Sequence, residues 1–172
     1  NQSSLYGSGA MGGTVNITTK KGKPGFQKEF NAITGSNKTI NGSGAISGAD
    51  EKSDFWLGYE TFHTDGESAM TDNAERDAYH NDTFVGNYGY KINEELKFET
   101  SGRLIKSFLN YDAVDSSTNP NNDENNQNWN KEWNGTLGLN HEPFKNFNHS
   151  LKKVRSVNNR TYDEFTAYGS VK

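Results

Sequence analysis

The chain predicts an all-β protein, a partial antiparallel transmembrane β-barrel of about seven or eight strands. Three observations lead there. Apolar and aromatic residues recur at every second position along much of the chain, the period of a strand with two unlike faces. The composition suits neither a soluble core nor simple disorder. Hydrophobic residues make up 30% and mean hydropathy is −0.99, yet the 172 residues include 10 Phe, 8 Tyr, 3 Trp and 18 Gly. A barrel wall reads this way because only alternate residues face lipid, while the lumen side and outer loops are polar. Finally, the connections between strands alternate between short and long.

The strands follow in order. After the turn-rich linker Lys20-Lys21-Gly22-Lys23-Pro24-Gly25, Phe26 to Gly35 is the first, with Phe26, Phe30 and Ala32 at matching parity. Thr39 to Gly48 is the second, with Ile40 and Ile46 on one face. Ser53 to His63 is the third, where Phe55, Leu57 and Tyr59 oppose Trp56 and Glu60. Thr83 to Ile92 sets Phe84, Gly86, Tyr88, Tyr90 and Ile92 against Val85, Asn87, Gly89 and Lys91. Glu95 to Leu109 has the cleanest alternation: Leu96, Phe98 and Leu104 against Lys97, Glu99 and Arg103. Trp133 to His141 is a sixth strand, His149 to Asn158 a weaker seventh, and an eighth begins near Asp163.

Ser36-Asn37-Lys38, Ala49 to Lys52 and Asn93-Glu94 are short connections. Residues 64–82 and 110–130 are long, and Glu142 to Asn148 is moderate. Outer-membrane barrels have short periplasmic turns and longer extracellular loops. If Phe26 starts on the periplasmic side, both long loops fall outside. A soluble sandwich, the form an adhesin or sugar-binding module would take, shows no such sidedness and needs more inward apolar residues. No apolar run approaches the ~20 residues of a membrane helix, which excludes a helical membrane protein only. The absence of cysteine excludes disulfides and thiolate chemistry. A net charge of −4 gives no drive towards nucleic acid. No carboxylate–His–Ser set is evident, His63, His80, His141 and His149 lack metal-ligand spacing, and no enzymatic activity is expected.

Gly7-Ser8-Gly9-Ala10-Met11-Gly12 matches the dinucleotide fingerprint G-x-G-x-x-G. That motif needs a strand before it and a helix after it. Here Thr14-Val15-Asn16-Ile17-Thr18-Thr19 follows, a β-branched strand pattern, so no nucleotide is expected. A glycine-rich turn in any β protein is the plainest alternative. The whole string Leu5-Tyr6-Gly7 through Ala10, Gly12-Gly13, Asn16-Ile17 to Thr19-Lys20 resembles the end of the plug domain of TonB-dependent outer-membrane receptors. The resemblance implies a plug end at residues 1–22 and the first third of a barrel of about 22 strands at 23–172. The chain therefore reads as a fragment, beginning within the motif and ending within a strand. It further implies a multi-pass protein of the bacterial outer membrane, in contact with lipid bilayer and lipopolysaccharide. Such a protein takes up a scarce ligand and is driven by the TonB energy-coupling complex.

The acids are the second informative feature. Ten of the 22 lie within 64–82 and 110–124, with Arg76 the single basic residue there. Two adjacent acidic, Asn-rich loops offer hard oxygen ligands, of which Ca²⁺ takes about six to eight. A solvated acidic face is the alternative. Within the family, the segment is most similar to the cobalamin (vitamin B12) transporters, through His63-Thr64-x-Gly66, Thr83-x-x-Gly86 and Asn110-Tyr111-Asp112-Ala113. That similarity implies Ca²⁺ ordering both loops. Asp77 matches one ligand position. Glu75 matches another that is Asp in the family, and Asp112 and Asp123 match the second-loop pair. The first loop is shorter here, so Glu67 is the nearest match for the remaining ligand, with Ser68 the alternative. Tyr111 is the candidate ligand contact. Cobalamin is the first expectation for the ligand and a siderophore (iron chelate) the second.

Overall fold

The structure, a computed structural model, describes residues 20–67, 76–112, 125–145, 147–166 and 169–171. The glycine-rich string before Lys20 lies outside these residues. Among the described residues, eight strands run in chain order: β1 (Gly25–Thr34), β2 (Ile40–Ala49), β3 (Ser53–Thr64), β4 (Tyr79–Lys91), β5 (Leu96–Asp112), β6 (Asn125–Phe144), β7 (Phe147–Thr166) and β8 (Gly169–Val171). They form one sheet in which every strand pairs antiparallel with its chain neighbour. This up-and-down order is that of a barrel wall, with no crossover of the Greek-key kind.

The first seven predicted strands form, and several run longer than the apolar alternation suggested; β7 continues to Thr166, so Asp163, the expected start of an eighth strand, lies within β7, and β8 is Gly169–Val171. β4 begins at Tyr79 rather than Thr83, and β5 continues to Asp112 rather than Leu109. β6 begins at Asn125 rather than Trp133, so Trp129 belongs to a strand and not to the second long loop. The long connections shrink accordingly to residues 65–78 and 113–124, and the connection expected at 142–148 contracts to 145–146. The reason is that ladder hydrogen bonds come from the backbone, so polar runs such as Asn125-Asn126-Gln127-Asn128 pair as well as apolar ones. β6 and β7 remain in register from Gln127↔Asp163 to His141↔His149 and then shift before Phe144↔Phe147.

The register separates two faces. Rows such as Ile46–Leu57–Gly86–Gly102–Gly135, Tyr90–Phe98–Leu139–Leu151 and Phe84–Leu104–Trp133–Val157 lie on one side. The other side carries rows such as Asp54–Gly89–Glu99–Gly138–Lys152 and Val85–Arg103–Asn134–Ser156. Of the 21 exposed large hydrophobic residues among those described, 15 lie on the first face. Ile33, Leu109, Val154 and Tyr162 lie on the second, and Ile92 and Phe144 sit at turns. Ile105 is the one buried hydrophobic residue among those described. A soluble sandwich would cover its apolar face with a second sheet. Among the described residues nothing covers that face, which is consistent with a partial barrel wall. Leu96 to Leu104 spans eight residue steps of β5. At ~3.3 Å per residue and a tilt of roughly 40°, this is a band of about 20 Å, near the hydrophobic height of an outer-membrane barrel.

The turns at one end are short and locally fixed. Asp50 Oδ1 accepts from the backbone N–H groups of Ser53 (2.7 Å) and Lys52 (2.8 Å). Those bonds, Ser53 first, hold the Asp50 carboxyl below the usual carboxylate range. Asn93 Oδ1 caps the β4–β5 turn in the same way, accepting from Leu96 (2.7 Å) and Glu95 (3.0 Å).

Candidate functional site

Four of the predicted site residues lie at the long-loop end of the sheet, where the β1–β2 turn makes a platform. Asn37 and Lys38 have φ of 54° and 52°, and Thr39 N–H donates to Ser36 O at 2.9 Å. Two central residues in the left-handed region make a type I′ hairpin turn. The turn receives the end of β3. Asp65 N–H donates to Asn37 O (2.9 Å), and Thr39 Oγ1 donates to Thr64 Oγ1 (2.9 Å). Lys38 Nζ pairs with Asp65 Oδ2 at 2.7 Å, and His63 Nε2 lies 3.3 Å from Asp65 Oδ1. The Lys38 ammonium, chiefly, holds the Asp65 carboxyl below its ordinary range, with a smaller contribution from His63.

Glu67 leaves this platform with its Oε1 accepting from Asn37 Nδ2 at 3.0 Å. Gly66, at φ 69°, closes the neck of the first loop: a Cβ there would collide with the Asp77 carbonyl oxygen. Glu67 and the half-buried Asp77 therefore flank one constriction. Asn110 N–H donates to Ala78 O (2.9 Å), which carries the β4–β5 pairing to Ala78 and Asn110, the chain neighbours of Asp77 and Tyr111. The backbone of Asp112 pairs with Asn125 at the root of the second loop. Glu67, Asp77, Tyr111 and Asp112 thus share the long-loop end. Glu75 and Asp123, like Ser68, lie outside the described residues. Among the described residues, no three acidic or histidine side chains converge on a common point.

The polar face of the sheet holds a second constellation that sequence reasoning did not assemble. The lead-in residues before β1 cross it. Glu99 is the hub: its Oε1 accepts from Lys21 Nζ (3.1 Å) and Lys97 Nζ (3.2 Å), and its Oε2 accepts from Asn140 Nδ2 (2.8 Å). Lys97 also reaches Asp54 Oδ2 at 3.1 Å. Lys20 Nζ pairs with Glu29 Oε2 at 3.2 Å, while its carbonyl accepts from Asn87 Nδ2. Gly22 passes so close to the backbone of Gly48 that a Cβ would overlap the Gly48 carbonyl. Beside Lys20, the inward face forms a recess of about 340 Å³, lined by Glu29, Asn31, Trp56, Glu60 and Thr83. The sequence signal available was the strict inward parity of Lys97 and Glu99. Their partners stand 43 and 78 residues away, beyond any spacing rule.

The histidines form cross-strand pairs that sequence spacing also hides. His63 and His80 face each other with ring centroids 6.0 Å apart, and His141 Nδ1 lies 2.8 Å from His149 Nε2. Asp82 binds Tyr59 OH (2.6 Å) and His80 Nε2 (3.0 Å) on the apolar side.

No family model matches the chain. It is similar to the ferric aerobactin receptor of Escherichia coli, with 30% identity over 118 residues, 60% of this chain. The chain spans about a sixth of that relative's length, 16%. The likeness supports the resemblance to TonB-dependent receptors and does not single out their cobalamin-transporting branch.

Proposed function

We propose that the chain is part of an outer-membrane, TonB-dependent uptake receptor, with a ferric chelate of the siderophore class as its ligand. The observation that carries the reading is the two-faced sheet. Seven long antiparallel strands turn an apolar, aromatic face one way and a charged, hydrogen-bonded face the other, with the long connections together at one end. The likeness to a ferric aerobactin receptor favours an iron chelate over cobalamin. No covalent chemistry is needed. The outer loops and inward face supply binding, a plug preceding β1 blocks the lumen, and the energy-coupling complex supplies direction.

Cobalamin uptake with Ca²⁺-ordered loops is the second reading. It is favoured by the shared end of Glu67, Asp77 and Asp112, with Glu75 and Asp123 as further carboxylates for the ion. In that reading Tyr111 contacts the ligand. One experiment separates the two. A strain lacking the gene is assayed for uptake of radiolabelled ferric chelates and of radiolabelled cobalamin, each with and without Ca²⁺ and a working TonB complex. Loss of energy-dependent iron-chelate uptake alone supports the first reading. Loss of Ca²⁺-dependent cobalamin uptake alone supports the second. Normal uptake of both overturns the transport reading.

A further inference from the structure

His141 on β6 and His149 on β7 stand eight residues apart in the chain and directly opposite each other across the ladder. Both lie in the row of Leu96, on the outward face, at the end of the sheet where the connections are short. Direct cross-strand partners hold their Cβ atoms about 4.5–5.5 Å apart, close enough for two imidazoles to meet. They do meet: His141 Nδ1 lies 2.8 Å from His149 Nε2. Two nitrogens bound to one ion at about 2.0–2.1 Å, at angles of roughly 90–110°, are themselves about 2.8–3.4 Å apart. The pair therefore already stands at the spacing of two neighbouring metal ligands. A modest tilt of each ring turns both lone pairs to an ion beside the N···N line.

The surroundings suit an ion. On the far side of the His141 ring, Nε2 faces Glu95 Oε2 at 3.8 Å. A carboxylate behind the ring fixes its tautomer and orientation and leaves Nδ1 as the ligand nitrogen. The Phe147 ring stands edge-on to His149, with centroids 5.0 Å apart, and stacks on Phe144, so one side of the pair is walled. The His141 and Glu95 side chains are 40% and 56% exposed, which leaves the pair open to ions from solution. The other cross-strand pair is unlike it: His63 and His80 each turn Nε2 to a carboxylate of their own, Asp65 and Asp82. Imidazole suits borderline transition metals, whereas hard cations such as Ca²⁺ prefer the oxygens found at the opposite end of the sheet. We propose that His141 and His149 bind a divalent transition-metal ion, Cu²⁺ most tightly and Zn²⁺ or Ni²⁺ less so, with water or a small external ligand completing the shell. The ion staples β6 to β7 immediately before the register shift between His141 and Phe144. The site is made by these two strands alone and does not depend on the transport reading.

The test is protection from diethyl pyrocarbonate on the full-length protein in mild detergent, read at His141 and at His149 by peptide mass spectrometry. Reading each ring separately keeps any other metal site of the protein out of the measurement. Cu²⁺ should protect both rings in parallel, Zn²⁺ and Ni²⁺ should do so at higher concentration, and Ca²⁺ and Mg²⁺ should not protect. A second ligand held on the same rigid scaffold raises affinity on the order of a hundredfold or more. In His149→Gln, half-protection of His141 should therefore need about a hundredfold more Cu²⁺. If His149→Gln does not fold, judged by heat-modifiable gel migration, His141→Gln is scored by the same shift at His149. Equal half-protection of His141 in the parent and in folded His149→Gln overturns the two-imidazole site. So does protection by Ca²⁺ as strong as that by Cu²⁺, or no protection by Cu²⁺ at millimolar concentration. Each of these outcomes leaves the transport reading intact.

Discussion

Leu137 and Thr136 are neighbours on β6 whose side chains lie on opposite faces of the sheet. Leu137 sits in the row Tyr88–Thr100–Leu137–Lys153, at the centre of the band between Leu96 and Leu104. Four residue steps to either edge, at ~3.3 Å and a tilt of roughly 40°, leave about 10 Å of hydrocarbon above and below it. An arginine at Leu137 therefore meets the full midplane cost of about 2–4 kcal/mol, or roughly thirty- to several-hundredfold in the folding equilibrium. Lys153, its cross-strand partner, adds like-charge repulsion and pushes the value towards the upper end. Thr136→Arg places the same charge on the polar face, among Ser101 and Asn134, at an expected cost of about 1 kcal/mol or less. The assay is reversible denaturant unfolding of the full-length receptor in lipid vesicles, followed by tryptophan fluorescence and gel migration. Equal costs at the two positions, or a larger cost at Thr136, would refute the assignment of faces.

Gly66→Ala should destabilise the first-loop neck by about 1–3 kcal/mol, because it combines φ 69° with a collision against the Asp77 carbonyl; protease sensitivity of residues 65–78 should rise. Gly35→Ala, whose nearest neighbour would be Thr39 Cβ at 3.4 Å, should leave that sensitivity unchanged. Glu99→Gln should weaken the hold on the lead-in by roughly 1–2 kcal/mol, since one carboxylate takes two ammonium groups and an amide. Tryptic cleavage at Lys20 to Lys23 should then quicken, and an unchanged rate would deny the tether. Asp65 titrates below its ordinary range when folded, so its pairing with Lys38 stabilises the loop platform fully above the normal carboxylate pKa of about 4 and is lost as pH falls through the lower folded value. Protection of the Asp65 amide from hydrogen exchange, relative to its intrinsic rate, should fall below about pH 4, and Lys38→Gln should blunt that pH response.

The first three strands were legible to within a residue or so, because Ser36-Asn37-Lys38 and Asp50-Glu51-Lys52 carry turn chemistry at the breaks and the apolar parity between them is regular. The faces were legible too: Leu96, Phe98 and Leu104 against Lys97, Glu99 and Arg103 hold in the structure as written. Strand lengths were not. Asn125 to Asn130 and Tyr79 to Asp82 are polar, and side-chain alternation is silent where the backbone ladder alone sets the extent. Of the site, the shared end of Glu67, Asp77, Tyr111 and Asp112 followed from which side the long loops occupy. The Lys21–Glu99–Lys97–Asp54 network depends on register between strands, which no single strand records.

These 172 residues contain no cysteine, so no thiol of their own competes with one introduced among them. Single cysteines placed at each position from Leu96 to Ile105 in the full-length protein, in native outer membranes, would be probed with a lipid-phase quencher on a thiol-linked fluorophore and with a membrane-impermeant maleimide. The account predicts a strict period of two: Leu96, Phe98, Thr100, Gly102 and Leu104 are quenched from lipid, and Lys97, Glu99, Ser101, Arg103 and Ile105 are not. Uniform aqueous labelling, or quenching without that alternation, would contradict it.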